Sequence, residues 1–151
     1  KNYKSLVPKI KNSGSICLGK YAVMAMTARA FLGLNPFEVW GDGTQVRNWT
    51  YVDDIVKGTI LAAEKIDDGT AINLGTVERT TVLDAANLVL EMTGHDAEIK
   101  LLTDMPTGPL NRVADNALAS KLLGWTPEIS FRYPYEDILI SCNLIFLHLH
   151  Y

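Results

Sequence analysis

The stretch Val39-Trp40-Gly41-Asp42-Gly43-Thr44-Gln45-Val46-Arg47-Asn48-Trp49-Thr50-Tyr51-Val52-Asp53-Asp54 sets how the rest of the chain is read. Gly41-Asp42-Gly43 supplies the positive φ angles that a tight connection demands. Gln45 to Val52 then alternates with period two and predicts a strand. Val46, Asn48, Thr50 and Val52 face one way, and Arg47, Trp49 and Tyr51 the other. Asp53 and Asp54 are expected to cap the helix that follows, where their charge suits the positive end of the helix dipole.

Upstream, Tyr21 to Leu32 reads as a buried helix ended by Gly33, and Asn35-Pro36 turns the chain into a short strand, Phe37 to Trp40. Downstream, the helix opened by the aspartates runs through Ile66. Ile55, Val56, Ile60, Ala63 and Ile66 are its expected apolar face. Asp67-Asp68-Gly69 stops it, and Thr70 to Gly75 reads as a short buried strand. Thr81 and Asp84 fit a capping box for a helix to about Met92, closed by Gly94. Glu98 to Leu102 is a further strand, and Asp104 to Pro109 a loop. Asp115 caps a last helix to Leu123, followed by Gly124 and Pro127. Helices alternating with strands give an α/β class.

The 151 residues are 48% apolar with a formal net charge of −3, enough for a domain with a real core. No run approaches the roughly 20 apolar residues that cross a bilayer, and no signal peptide is visible. Cys17 and Cys142 build no disulfide framework or metal spacing, so a cytoplasmic setting is expected. His148 and His150 lack the further ligands of a zinc site, and no metal is expected. Lys1 to Phe37 carries six basic and no acidic residues, while the remainder holds eight basic against seventeen acidic. That remainder would repel phosphates, so no nucleic-acid partner is expected.

Arg47 projects beside Trp49 and Tyr51. A guanidinium there suits bidentate recognition of phosphate, and the rings suit a base or a sugar face. A structural salt bridge is the plainer alternative. Arg112 follows Pro106-Thr107-Gly108-Pro109-Leu110-Asn111 and precedes the helix capped by Asp115, an arrangement that favours anions. The spacing leaves open whether the two arginines converge. Asp53-Asp54 reads as a cap before an acid–base pair, and Asn73-Leu74-Gly75 as either a polar strand end or a turn.

Four segments in order, Asn35 to Val56, Ala71 to Gly75, Pro106 to Asn116 and Lys121 to Pro127, resemble the C-terminal half of an extended short-chain dehydrogenase/reductase. The resemblance is to the nucleotide-sugar epimerase/dehydratase group, and it spans roughly residues 22–130. It implies the C-terminal substrate-binding portion of an extended Rossmann-type epimerase, lacking the N-terminal dinucleotide-binding half. It also implies that Arg47 and Arg112 hold a substrate diphosphate, that Asp115 bonds the ribose and that Glu38, Val39 and Trp40 border the nucleobase. Asp54 matches an acid at a helix start and is read as structural.

The chain departs from the family pattern in several places. No Gly-x-x-Gly-x-x-Gly loop occurs. After Tyr3, Tyr21 and Tyr51 the fourth residue is Val7, Ala25 and Ile55 rather than the lysine of a Tyr-x-x-x-Lys pair. Asn48 stands where the family usually has aspartate, and Pro134 disfavours a continuous helix. The expected organisation is a basic leading segment (1–20), a nucleotide-sugar-binding domain (21–130) and an atypical apolar tail (131–151). NAD or NADP is expected for the full-length family and no cofactor for this chain alone, which is expected to be inactive by itself. The alternative is a non-catalytic interaction module, with Ile138 to Leu149 docking on a second copy or a partner chain.

Overall fold

The computed structural model describes residues 22–132, where four helices and five short strands form two compact units. The basic leading segment, the apolar tail, both cysteines, His148, His150 and Pro134 lie outside the described residues.

The first unit uses residues 22–44 and 82–107. It holds helix α1 (Ala22–Phe31), strand β1 (Phe37–Trp40), helix α3 (Val82–Thr93) and strand β4 (Ile99–Leu102). The small residues Ala25, Ala30, Ala85 and Ala86 let α1 and α3 pack closely around Met26 and Val89. β1 runs parallel to β4 with Phe37 opposite Ile99 and Val39 opposite Leu101. Phe37 and Val39 point into the core while Glu38 is exposed, the alternation expected of a strand covered on one face. Gly33 and Gly94 end the two helices with φ of 62° each. These four elements lie where the periodicity predicts them.

The second unit uses residues 45–81 and 108–132. Strands β2 (Val46–Arg47), β3 (Thr80–Thr81) and β5 (Asn111–Arg112) form a sheet of order β3-β2-β5. β2 is antiparallel to β3 and parallel to β5. Helices α2 (Val52–Lys65) and α4 (Ala117–Leu123) pack together. Ala119, Leu123 and Trp125 form a buried cluster against Leu61, Ala62, Ile66, Ile72 and Leu74.

Four expectations are corrected in this unit. The strand predicted over Gln45 to Val52 is only Val46–Arg47. Beyond it, side chains replace the ladder: Asn48 Nδ2 donates to Thr76 O at 3.0 Å, and the Thr76 amide donates to Thr50 Oγ1 at 2.9 Å.

Asp53 and Asp54 do not cap α2; Tyr51 is the N-cap, with no side-chain cap bond. Asp54 is instead fully buried. Its Oδ2 accepts the amides of Glu128 at 3.1 Å and Ile129 at 3.0 Å, and its carbonyl accepts Trp125 Nε1 at 3.0 Å. The carboxylate thus ties the segment after Pro127 to the start of α2.

The apolar face of α2 is also displaced. Val56, Ile60 and Ala63 are exposed, and the inward positions include Asp54 and Gly58, which a hydrophobic pattern does not count. A Cβ on Gly58 would lie 2.8 Å from Leu74 Cδ2 and 3.0 Å from Trp125 Cε2, so a larger residue there would displace the Leu74 side chain.

Finally, residues 70–75 do not join a sheet. Ile72 and Leu74 pack inward, but no backbone ladder reaches this segment among the described residues.

Candidate functional site

The Asp42 carboxylate accepts both the amide of Thr44 (2.9 Å) and its hydroxyl (2.7 Å), which fixes the turn leading into β2. Those bonds hold the Asp42 carboxyl below the usual aspartate range. Gly43, at φ 79°, accepts the Leu83 amide at 3.0 Å, and a Cβ there would lie 2.9 Å from Leu83 Cβ.

β2 then delivers Arg47 next to β5. Arg47 and Arg112, 65 residues apart in sequence, are register partners on parallel strands. Neighbouring strands lie about 4.8 Å apart, and partner side chains leave the sheet on one face. The half-buried Arg47 is aimed by two carbonyls: Nη1 donates to Val46 O and to Pro109 O, each at 2.8 Å. Gly108, at φ 69°, faces this guanidinium, its built Cβ position lying 3.9 Å from Nη2. Arg112 is exposed and forms no ion pair among the described residues. Two guanidiniums carried by paired residues can both donate charge-assisted hydrogen bonds to one dianionic group.

Asp115 follows Arg112 by three residues and is exposed; its Oδ1 accepts the Ala117 amide at 2.9 Å. This corrects the expected cap position by one residue: Asn116 is the N-cap of α4, and the carboxylate serves the first turn from the residue before it. Glu38, Val39 and Trp40 lie together on β1 in the first unit. The Val39 side chain is buried, so only its backbone is available to a ligand. The Glu38 carbonyl accepts Arg29 Nη1 at 2.9 Å. Burial lowers the Arg29 pKa from its ordinary value, and the nearby Glu38 charge partly offsets that. Trp49 stacks on Phe131 with ring centroids 4.8 Å apart.

Gly75, Thr76 and Asn116 were not singled out for this site by the sequence. Asn116 Nδ2 donates to Gly75 O at 3.2 Å, and Asn48 reaches the next carbonyl. A Cβ on Gly75 would lie 2.6 Å from Ala114 Cβ and 2.8 Å from Asn48 Nδ2. Gly75 therefore packs against the residues that follow β2 and β5, and the Asn48 and Asn116 amides tie both continuations to residues 75–76. The only sequence signal for it was Asn48 standing in place of the family's aspartate, since an amide can donate to a carbonyl and a carboxylate cannot.

The chain matches the model of the NAD dependent epimerase/dehydratase family over residues 19–75. It is 31% identical over 111 residues to GDP-mannose 3,5-epimerase 1 of Oryza sativa subsp. indica, covering 74% of this chain and 29% of that protein. It is 37% identical over 90 residues to UDP-glucuronic acid decarboxylase 3 of Arabidopsis thaliana, covering 60% of this chain and 26% of that one. UDP-glucuronic acid 4-epimerase from Bacillus cereus, solved in complex with UDP-glucuronic acid and NAD, superposes with a TM-score of 0.72 at 30% identity.

The chain belongs to the NAD dependent epimerase/dehydratase family.

As a family member it has the expected α/β class with parallel strand pairing. It spans less than a third of the length of these two curated relatives and 40% of the Bacillus cereus chain. The Gly41-Asp42-Gly43 turn is not built as a seat for the dinucleotide that the family name implies. Gly41-Asp42-Gly43 joins two strands, so no helix N-terminus follows to receive a pyrophosphate, and the Asp42 carboxylate puts negative charge in the turn. Among the described residues no helix is long and apolar enough to cross a membrane. No group of three potential metal ligands occurs among them either.

Proposed function

We propose that this epimerase-family chain binds a nucleoside-diphosphate sugar, with Arg47 and Arg112 on the diphosphate and Asp115 on the ribose. The supporting observation is the register of β2 and β5, which sets the two arginines side by side. The relatives' names include UDP- and GDP-sugars, which share a diphosphate between nucleoside and sugar. Two carbonyls accept from Arg47 Nη1 and orient the guanidinium, a planar group whose geometry suits phosphoryl oxygens. Turnover in the family's manner needs NAD or NADP, which carries the hydride, and a tyrosine–lysine pair. The chain by itself is proposed to bind the nucleotide sugar without turning it over.

Calorimetric titration with UDP-, GDP- and dTDP-sugars tests the reading. Arg47→Ala and Arg112→Ala should each weaken binding at least tenfold, since a hydrogen bond to a charged group contributes about 1.5–3 kcal/mol. Saturable binding of equal strength in both variants would refute the diphosphate assignment. Cofactor-dependent conversion of a nucleotide sugar by the purified chain would refute its inactivity.

A further inference from the structure

The ladder between β2 and β5 is two residues long and ends at the row of Arg47 and Arg112. A slip of one residue in so short a ladder would turn an arginine to the other face of the sheet. Past that row, the segments after both strands bond to one and the same peptide unit. Its amide, Thr76 N–H, donates to Thr50 Oγ1 at 2.9 Å, and its carbonyl, Gly75 O, accepts Asn116 Nδ2 at 3.2 Å. The next carbonyl, Thr76 O, accepts Asn48 Nδ2 at 3.0 Å. A trans peptide points its N–H and C=O in opposite directions. The Gly75–Thr76 unit, which is trans, therefore reaches the continuation of β2 on one side and that of β5 on the other. Gly75 allows this approach, since a Cβ would lie 2.6 Å from Ala114 Cβ. Gly75 and Thr76 are buried, so each of these bonds satisfies a backbone group that would be costly to leave unpaired.

We infer that Asn48, Thr50 and Asn116 are positioning residues for the diphosphate site: by fastening the segments after β2 and β5 to the Gly75–Thr76 peptide, they keep Arg47 beside Arg112. This role rests on the reading that the two arginines hold the diphosphate, and it adds which residues make them act as a pair. None of the three is given a contact with the ligand. Binding groups work together when surrounding hydrogen bonds hold them to within about half an ångström of the productive geometry. Two-residue strands supply few such bonds of their own, and the side chains that follow them supply the rest.

Calorimetric titration of the full 151-residue chain with UDP-glucose, GDP-mannose and dTDP-glucose tests the role. Thr50→Val keeps the side-chain shape and removes the acceptor. It should weaken the tightest of these ligands by a factor of about three to ten, the net size of one ordinary hydrogen bond. Thr50→Ser keeps the hydroxyl and should bind like the parent. In the Arg47→Ala background Thr50→Val should cause no further loss, because it acts through that arginine. Asn116→Ala removes the bond on the other side of the peptide and gives the same comparison against Arg112→Ala. It serves in place of Thr50→Val should that variant lose the parent's circular dichroism. Equal losses with and without the arginine would show a merely structural role and overturn the inference. So would parental affinity in both Thr50→Val and Asn116→Ala while the arginine variants bind weakly, an outcome that leaves the diphosphate reading standing. Parental affinity in Arg47→Ala and Arg112→Ala, or a folded parent that binds none of the three ligands, would overturn both together.

Discussion

The unit formed by residues 22–44 and 82–107 buries Phe37, Val39, Met26, Val89 and a row of alanines. The unit formed by 45–81 and 108–132 buries Gln45, Asp54, Thr76 and Thr80 beside its apolar cluster. The first is organised by apolar contact, which is non-directional and follows helix and strand periodicity. The second relies on directional bonds between segments distant in sequence: Asn48 to Thr76, Asn116 to Gly75, and Asp54 to Glu128 and Ile129. Its strands are two residues long, and the arginine pair stands on them. The contrast is between a packed scaffold and a wired unit, in which register pairs two arginine-bearing positions.

Breaking each organising principle separately sharpens the contrast. The largest effect is expected from Phe37→Ala, which empties a fully buried ring site in the first unit. Truncations of this kind cost about 3–5 kcal/mol. Amide exchange should show protection lost across α1, β1, α3 and β4. If those amides kept their protection while the second unit lost its own, the division into a packed and a wired unit would be wrong.

Asp54→Ala should come next. It removes the acceptor of two backbone amides, and each donor left unsatisfied costs about 1–3 kcal/mol. Denaturant unfolding followed by Trp125 fluorescence would measure it. A loss no larger than that of an exposed substitution such as Asp53→Ala would show that the wiring contributes little.

The smallest effect concerns Asp42, whose carboxyl is held low chiefly by the Thr44 amide and then by the Thr44 hydroxyl. A depressed folded pKa gives a contribution that is complete above the ordinary aspartate value and lost as pH falls through the folded one. Carboxyl chemical shifts titrated by NMR should place Asp42 below its ordinary value, and Thr44→Val should move it part of the way back. An unmoved titration in the variant would remove the hydroxyl's share.

Much of the first unit was legible in advance. Apolar residues at helical spacing, closed by Gly33 and Gly94, marked α1 and α3, and the strands at Phe37 and Ile99 followed from short apolar runs between turns. In the second unit the same reasoning misjudged the length of β2, the cap of α2, its inward face and the state of residues 70–75. The common reason is that Asn48, Asp54 and Gly58 act there through long-range partners, and period-based patterns read them as polar or neutral. Motif order alone indicated the family, while Arg47 and Arg112 were already candidates from their places on a strand beside aromatics and in a loop before a helix.

Their adjacency could not be read that way. Composition and local spacing carry information about neighbours within a turn or a strand, because side-chain direction repeats with the backbone. The alignment of Arg47 with Arg112 depends instead on the register of β2 against β5. Beside that pairing Gly75 approaches Asn48 and Ala114 so closely that a Cβ would collide, a long-range contact that no local spacing reports.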